Sequence, residues 1–400
     1  MVSRKTCFIF MTLILAISSQ NISNSVNDFA VNLLAVTTSE AGDNLNVALS
    51  PFTIWTLLTI ISEGAEANSL KQLVNVLKLN NHNLKQIRAE YRNLLSSLTQ
   101  DADGTHLDFS SAIFTNNKYK LRETFQRTAQ QFYDVKVQPI DFKNKAAVQQ
   151  INKYIESGTK NRIKGLVKEF DIVDAQIFLT SVLYFKGEWK TPFNKTATKT
   201  DAFYDEKNNR IGNVEMMYQS HTFPFSRIDE IKAFAVELPY GRDGKMSMII
   251  ILPYKGNHVS NTLNLLSRVT FKRVLDLLGD AEEQYVDEDV QVYLPRFKIH
   301  SEFFMNRVLI KMGIKDIFNS QDAELLGILD QYLYITKLLQ TANIEVDEEG
   351  SIASAAAGAS FAYKSPPPKF QANHPFLYFI VDKPTQSIIF AGKLSNPSTI

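Results

Sequence analysis

Apolar residues recur at helical spacing over 26–37 and again over 53–63, the second run opening after Ser50-Pro51. Over 146–157 the same spacing puts Val148, Ile151 and Ile155 on one helical face, with Tyr154 beside them. The second half of the chain changes period. Residues 233–238 alternate, with Phe234, Val236 and Leu238 on one side, which predicts a strand. Residues 246–253, MSMIIILP, form a continuous apolar run of the kind seen in strands buried on both faces. PFLYFIV (375–381) and SIIFAGKL (387–394) predict a strand pair around Asp382-Lys383-Pro384-Thr385, and 343–346 also has strand character. Helices dominate the first half and strands the second, without steady alternation, internal repeat or charged linker. That order predicts an α+β fold.

The first eighteen residues read as a secretory signal. Arg4 and Lys5 supply the positive end, 8–17 the apolar run, and Ala16 and Ser18 a small-residue cleavage site. The run is too short for a membrane span and ends in Ser-Ser-Gln-Asn, and no later apolar run of about 18 residues follows. The expected organisation is a signal over 1–18 and one domain over 19–400. The single cysteine, Cys7, lies in the signal, so the mature chain is expected to be secreted and extracellular without thiols or disulfides. Asn21-Ile-Ser23 and Asn194-Lys-Thr196 fit the glycosylation acceptor pattern.

The formal net charge of +1 leaves no basic surplus for nucleic acid or a membrane surface. The basic stretch 160–168 alternates with apolar residues like a solvated helix face. Catalytic chemistry finds no foothold either. Gly358-Ala-Ser360-Phe-Ala362 resembles a nucleophile elbow without its last glycine, but the following helix is blocked by Pro366, Pro367 and Pro368. His82, His106, His221, His258, His300 and His374 are scattered without metal-ligand spacing. Asp101-Ala-Asp103-Gly104 lacks the remaining ligands of a calcium loop and reads as a turn. No cofactor or metal is expected, and the protein is not expected to be an enzyme.

The unusual segment is EVDEEGSIASAAAGASFAYKSPPPKF at 345–370. From Gly350 to Ala362, eleven of thirteen residues are Ala, Ser or Gly, the exceptions being Ile352 and Phe361. Small uncharged side chains allow a segment to be an exposed loop in one state and a buried strand in another. As a strand it would put Ser351, Ala353, Ala355 and Ala357 on one face, and Ile352, Ser354, Ala356 and Gly358 on the other. Gly350 ahead of it supplies a backbone hinge. By itself the tract is equally an Ala/Ser-rich surface loop.

Its flanks resemble the serpin family. EVDEEGS, the Ala-rich run and HPFLYFIVDKPTQSIIFAGKLSNP (374–397) look like that family's hinge, reactive loop and carboxyl-terminal strands. NVALSPFTIWTLLTIISEGAEANSLKQL (46–73), YFKGEWKTPF (184–193), VELPYGRDGKMSMIIILP (236–253), LPRFKI (294–299) and MGIKDIF (312–318) match further segments in order, over nearly the whole mature chain. The resemblance implies helices packed around three β-sheets with an exposed reactive loop over about 348–370. It also implies a monomeric inhibitor that offers the loop as substrate, becomes acyl-linked to its protease and inserts the cleaved loop into the central sheet.

Counting in the family's usual register places the scissile bond at Lys364-Ser365, which implies a covalent complex with a trypsin-like serine protease; a slip of one residue would present Tyr363 and imply a chymotrypsin-like one. The resemblance further implies a hinge of Glu348, Glu349, Gly350, Ser351, Ala353, Ala355 and Ala357. It places Ser50, Thr53, Ser181, Trp189, Arg296 and Gln340 at the sheet opening, with Trp189 over its top and Arg296 paired to Glu348. Inserting fourteen residues would carry the protease about 45 Å at roughly 3.3 Å per residue. About ten new ladder bonds at roughly 1 kcal/mol each would drive it. Ile352 stands where the family often has an acid, and Ser181 and Gln340 where it commonly has a bonded Asn and His. A Ser181–Gln340 hydrogen bond would be the substitute. The competing function is a non-inhibitory serpin-fold carrier, chaperone or storage protein, whose hinges tend to be bulky, charged or proline-bearing. The stretch 82–92 has few basic residues and reads as a plain helix rather than a glycosaminoglycan site.

Overall fold

A computed structural model describes residues 4–80, 82–100, 104–284, 288–350 and 367–397, with side chains from Ile22 onward. The chain begins α1 (Arg4–Ala41), β1 (Val47–Leu49), α2 (Pro51–Gly64), α3 (Ala67–Val76), α4 (Leu84–Thr99), β2 (Thr105–Asn116), α5 (Glu123–Tyr133) and β3 (Lys136–Ile140). It continues with α6 (Ala146–Gly158), α7 (Glu169–Ile172), β4 (Ile177–Gly187), β5 (Lys199–Tyr204), β6 (Arg210–His221), β7 (Phe225–Ile228), β8 (Ala233–Tyr240) and β9 (Met246–Pro253). Then come α8 (Val259–Val269), α9 (Phe271–Gln284), β10 (Val290–Pro295), β11 (Phe297–Phe304) and α10 (Asn306–Met312). The last strands are β12 (Ile335–Val346), β13 (Lys369–Gln371), β14 (Phe376–Asp382) and β15 (Ser387–Leu394).

The strands form three sheets, ordered β1-β15-β14-β9-β8-β7, β13-β10-β6-β5 and β11-β12-β4-β2-β3. This is the expected α+β architecture. Every helix and strand predicted from the hydrophobic pattern is present. The helix expected over 82–92 is α4, and Ile151 and Ile155 of α6 are fully buried against Ala112, Phe114, Phe178, Val182 and Leu339 of the five-stranded sheet.

β8 is covered on both sides, with Ala233, Ala235 and Glu237 buried as well as Val236 and Leu238. The first three hide because the alanines are small and Glu237 is paired, accepting from Ser247 Oγ at 2.7 Å and meeting Lys383 Nζ at 2.8 Å. The strand read at 343–346 is the end of a twelve-residue strand, β12. Its earlier part escaped notice because Gln340 and Thr341 interrupt the apolar run while being 1% and 0% exposed.

α2 explains the centre of the molecule. Its sequence, PFTIWTLLTIISEG, is apolar almost all round, and a helix of that kind has to be buried. It lies against β15 of one sheet and β2 and β4 of another, with only Glu63 of its residues left partly exposed. Ser50 caps it by accepting from the Thr53 amide, and Pro51 occupies its first turn, where a missing N–H costs nothing.

Candidate functional site

The five-stranded sheet has a seam down its middle where β12 runs parallel to β4, Ile335 opposite Ile177 and Glu345 opposite Lys186. On its other edge β12 is antiparallel to β11. A chain leaving the top of β12 and turning back would run antiparallel to both strands of the seam. The seam is therefore the place where a further strand could be accepted.

At mid-seam, Ser181 of β4 and Gln340 of β12 are register partners. The expected hydrogen bond between them is absent. Ser181 Oγ lies 2.6 Å from Thr53 Oγ1, and Gln340 Nε2 donates to the Ser50 carbonyl at 3.1 Å. Thr53 Oγ1 also lies 2.8 Å from Ser50 Oγ. Each strand is thus fastened separately to the first turn of α2, because that turn projects a hydroxyl and a carbonyl between the two side chains. Gln340 Oε1 and Thr341 Oγ1 remain buried without a partner.

At the top, Trp189 lies two residues beyond β4, 1% exposed and stacked on Tyr240 with ring centroids 4.2 Å apart. Its Nε1 donates to the Asp347 carbonyl at 2.7 Å, and its amide donates to the Glu349 carbonyl at 2.9 Å. Gly350 bridges to Trp189 so closely that a Cβ there would meet Pro192 Cβ at 2.5 Å and the Trp189 carbonyl at 2.7 Å. Glycine is needed there for space, beyond the hinge freedom read from the sequence.

The acidic stretch is held from two sides. Glu348 is 3% exposed; Arg296, in the connection between β10 and β11, donates to it from Nε at 3.1 Å and Nη2 at 2.5 Å. Thr198 Oγ1 adds a bond at 2.6 Å. Burial pushes the Glu348 carboxyl up, but the Arg296 and Thr198 hydrogen bonds more than reverse this and hold it below the ordinary glutamate range. On the other face Lys186 Nζ meets Asp347 at 3.2 Å, Glu349 at 3.1 Å and Glu345 at 3.9 Å. Burial pulls the Lys186 ammonium down, yet these carboxylates raise it well above the ordinary lysine value. Sequence reading missed Lys186, Thr198 and Tyr240. Acids at every second position, 345, 347 and 349, were a signal for a shared cation; nothing in the sequence marked Thr198.

Ser351, Ala353, Ala355 and Ala357 of the expected hinge lie outside the described residues, as do Ile352, the Lys364-Ser365 bond, Pro366 and Asp101–Asp103. Past residue 366, the Pro368 carbonyl accepts from the Gln291 amide at 2.9 Å, and β13 joins β10 in parallel. Asn194 is exposed, with Thr196 Oγ1 donating to its Oδ1 at 2.8 Å. The Asn21 side chain lies outside the described ones. Among the described residues no cluster of His, Cys, Asp and Glu has the arrangement of a metal site, and no helix is long and apolar enough to cross a membrane.

A family model described as Serpin (serine protease inhibitor) matches residues 24–397. An uncharacterized serpin-like protein of Methanosarcina acetivorans is 33% identical over 394 residues, covering 96% of this chain and 89% of its own length. Leukocyte elastase inhibitor A of Mus musculus is 29% identical, covering 94% of this chain and 100% of its own. The crystal structure of Manduca sexta serine protease inhibitor (serpin)-12 superimposes with a TM-score of 0.80 at 25% identity, over 94% of this chain and 98% of that one.

Proposed function

The chain belongs to the serpin family, described as serine protease inhibitors, and from that premise we propose that it is a secreted suicide inhibitor of a trypsin-like serine endopeptidase. The observation that carries the reading is the pairing of a seam between two parallel strands with the tract that follows one of them. From Ser351 to Ala357 that tract carries no charge and no proline. On insertion, the face of Ser351, Ala353, Ala355 and Ala357 would bring only small side chains between β4 and β12.

In the proposed reaction the protease serine Oγ attacks the Lys364 carbonyl carbon. The bond to the Ser365 nitrogen breaks, and that amine leaves carrying the proton delivered by the protease's histidine. Lys364 is left as an ester on the protease. Insertion of residues from 351 onward then draws the ester away from the docking position before water can complete hydrolysis. The latch of Trp189, Arg296 and Lys186 on 347–350 keeps the uncleaved loop outside the seam, so the active form persists by a kinetic barrier. Lys364 distinguishes the target class from that named for the elastase-inhibitor relatives, since an ammonium calls for an acidic primary pocket. Cleavage of a signal after Ser18, a single domain from residue 19, a monomeric state and glycosylation of Asn21 and Asn194 belong to the same reading.

Mixing the mature protein with trypsin and running a denaturing gel tests it. The expected result is a covalent band near the summed mass, with release of a fragment beginning at Ser365. Lys364→Ala should abolish that band. Cleavage in the loop without a covalent band, and without a rise in heat stability of the cleaved form, would favour the carrier, chaperone or storage reading instead.

A further inference from the structure

We propose that the face of α6 turned away from the sheet, together with the loop that follows it, is a binding site for a sulfated polysaccharide. The choice of an extracellular polymer rests on the secretion proposed above; the site itself rests on charge and packing.

Positive charge is concentrated here. Residues 136–168 carry seven lysines and one arginine against Asp141 and Glu156, a net of +6, so the rest of the chain carries −5. The total of +1 conceals that asymmetry. Residues 160–168, expected as a solvated helix face, do not continue α6. Lys160 and Asn161 have φ of 47° and 62°, a left-handed turn that ends the helix. Ile163, Leu166 and Val167 then pack into the cluster that holds Ile151 and Ile155 of α6. Asn152 fixes the returning loop, its Nδ2 donating to the Val167 carbonyl and its Oδ1 accepting from the Val167 amide, each at 2.8 Å. The loop thus runs back along α6, and Lys153 and Lys168, the sequence neighbours of the bonded pair, come to one level of the helix.

With the apolar residues inside, the cations are left outside. Lys143, Lys145, Lys153, Lys164 and Lys168 are all exposed, and among the described residues none of them is in an ion pair. The two acids of the stretch are turned to backbone, Asp141 accepting from the Lys143 amide at 3.1 Å and Glu156 from the Gly165 amide at 3.2 Å. Lys160 and Arg162 share a single buried carboxylate, that of Asp108, at 2.6 and 3.4 Å. α6 has 13 residues, so the cations line a path of about 20 Å.

Separate ammonium charges along such a path suit a flexible chain that repeats an anion along its length. Nucleic acid fits less well. Seven of the eight cations are lysines, point charges without the planar fork that grips phosphate at two points. The exposed positions 149, 150, 153 and 157 of α6 hold Gln, Gln, Lys and Ser, with no ring on which a base could stack. The site shares no residue with the latch at 347–350, so a protein anchored by α6 keeps its reactive loop free.

The probe is heparin, titrated against the mature protein over a range of salt. Wild type is compared with Lys153→Gln/Lys164→Gln and with Lys85→Gln/Arg92→Gln, which alters exposed cations of α4 instead. The α6 pair should weaken binding about tenfold and lower the slope of log Kd against log salt by about 2, one for each lysine. The α4 pair should leave both unchanged. Every substituted side chain is exposed, so melting should not move in either variant. Equal losses in the two variants, a loss confined to the α4 pair, or no retention of wild type on heparin at about 0.15 M salt overturns the site. A single-stranded oligonucleotide of matched charge that binds as tightly through Lys153 and Lys164 overturns the polysaccharide as its occupant. Binding is read without protease, so failure on heparin leaves the inhibitory reading intact, and failure to trap trypsin leaves the heparin result standing.

Discussion

The indole nitrogen of Trp189 donates to the carbonyl of Asp347 at 2.7 Å, so a side chain following β4 holds the backbone that follows β12 across the mouth of the seam between them. The Trp189 amide holds Glu349 in the same way at 2.9 Å. Opening the seam from its top has to break both bonds and unstack the Trp189–Tyr240 pair. Trp189→Phe retains most of the ring packing but leaves the Asp347 carbonyl without its donor, at a cost of about 1–2 kcal/mol. The variant should melt several degrees lower and form loop-sheet polymers faster on warming, both readable on native gels and by circular dichroism. Unchanged polymerisation would remove Trp189 from the gate.

Arg296 is the second fastening. Its side chain is 47% exposed while that of Glu348 is 3% exposed, so removing the arginine leaves a buried carboxylate without its charged partner, held by Thr198 and backbone. Hydrogen bonds to a charged group contribute about 1.5–3 kcal/mol, and Arg296→Ala should cost about 2 kcal/mol. Glu348→Gln should cost less, since an amide oxygen can still accept from Arg296. Equal melting of Arg296→Ala and wild type would show that Lys186 and Trp189 alone hold the hinge.

The same pair fixes a pH dependence. Glu348 has a folded pKa below its unfolded value, so its contribution to stability is complete above the ordinary glutamate value near 4.3 and is lost as pH falls through the lower folded value. Melting temperatures measured from pH 7 down to about pH 3 should fall more steeply below about pH 4 for the wild type than for Glu348→Gln. Parallel curves would mean that the Glu348 carboxyl titrates alike in the folded and unfolded chain.

The amino-acid pattern made the framework legible where burial acts on a whole face. α2 and β9 are apolar along their length, and α6 repeats every turn, so each could be placed without a partner in view. Arg296 with Glu348, and Trp189 above them, were reached through family resemblance and are brought together in the structure. What stayed hidden was specific to long-range pairing. Lys186 meets three acids only because β4 and β12 are adjacent and parallel, and Ser181 and Gln340 reach α2 rather than each other because of where Ser50 falls. The alternating acids mark the need for a cation but not which one, and no local spacing marks the contacts to α2.

Gln340 gives the most counter-intuitive expectation. Its Nε2 bonds a Ser50 carbonyl that also accepts from Thr53 Oγ1 at 3.1 Å and the Ile54 amide at 3.4 Å, while its Oε1 has no partner although fully enclosed. An unpartnered buried acceptor costs about 1–3 kcal/mol, comparable with what the shared Ser50 bond returns. Gln340→Met keeps the length of the side chain, removes the stranded oxygen and leaves Ser50 with its other donors. Its stability should lie within about 1 kcal/mol of wild type, and above it if the oxygen's cost dominates. Gln340→Ala instead opens a cavity between the strands and α2 and should lose about 2–3 kcal/mol. Thermal unfolding of the two variants side by side decides the matter. If Met loses as much as Ala, the Gln340–Ser50 bond is the main tie at mid-seam; if Met holds and polymerises more slowly, the unpaired Oε1 is part of what keeps this sheet ready to open.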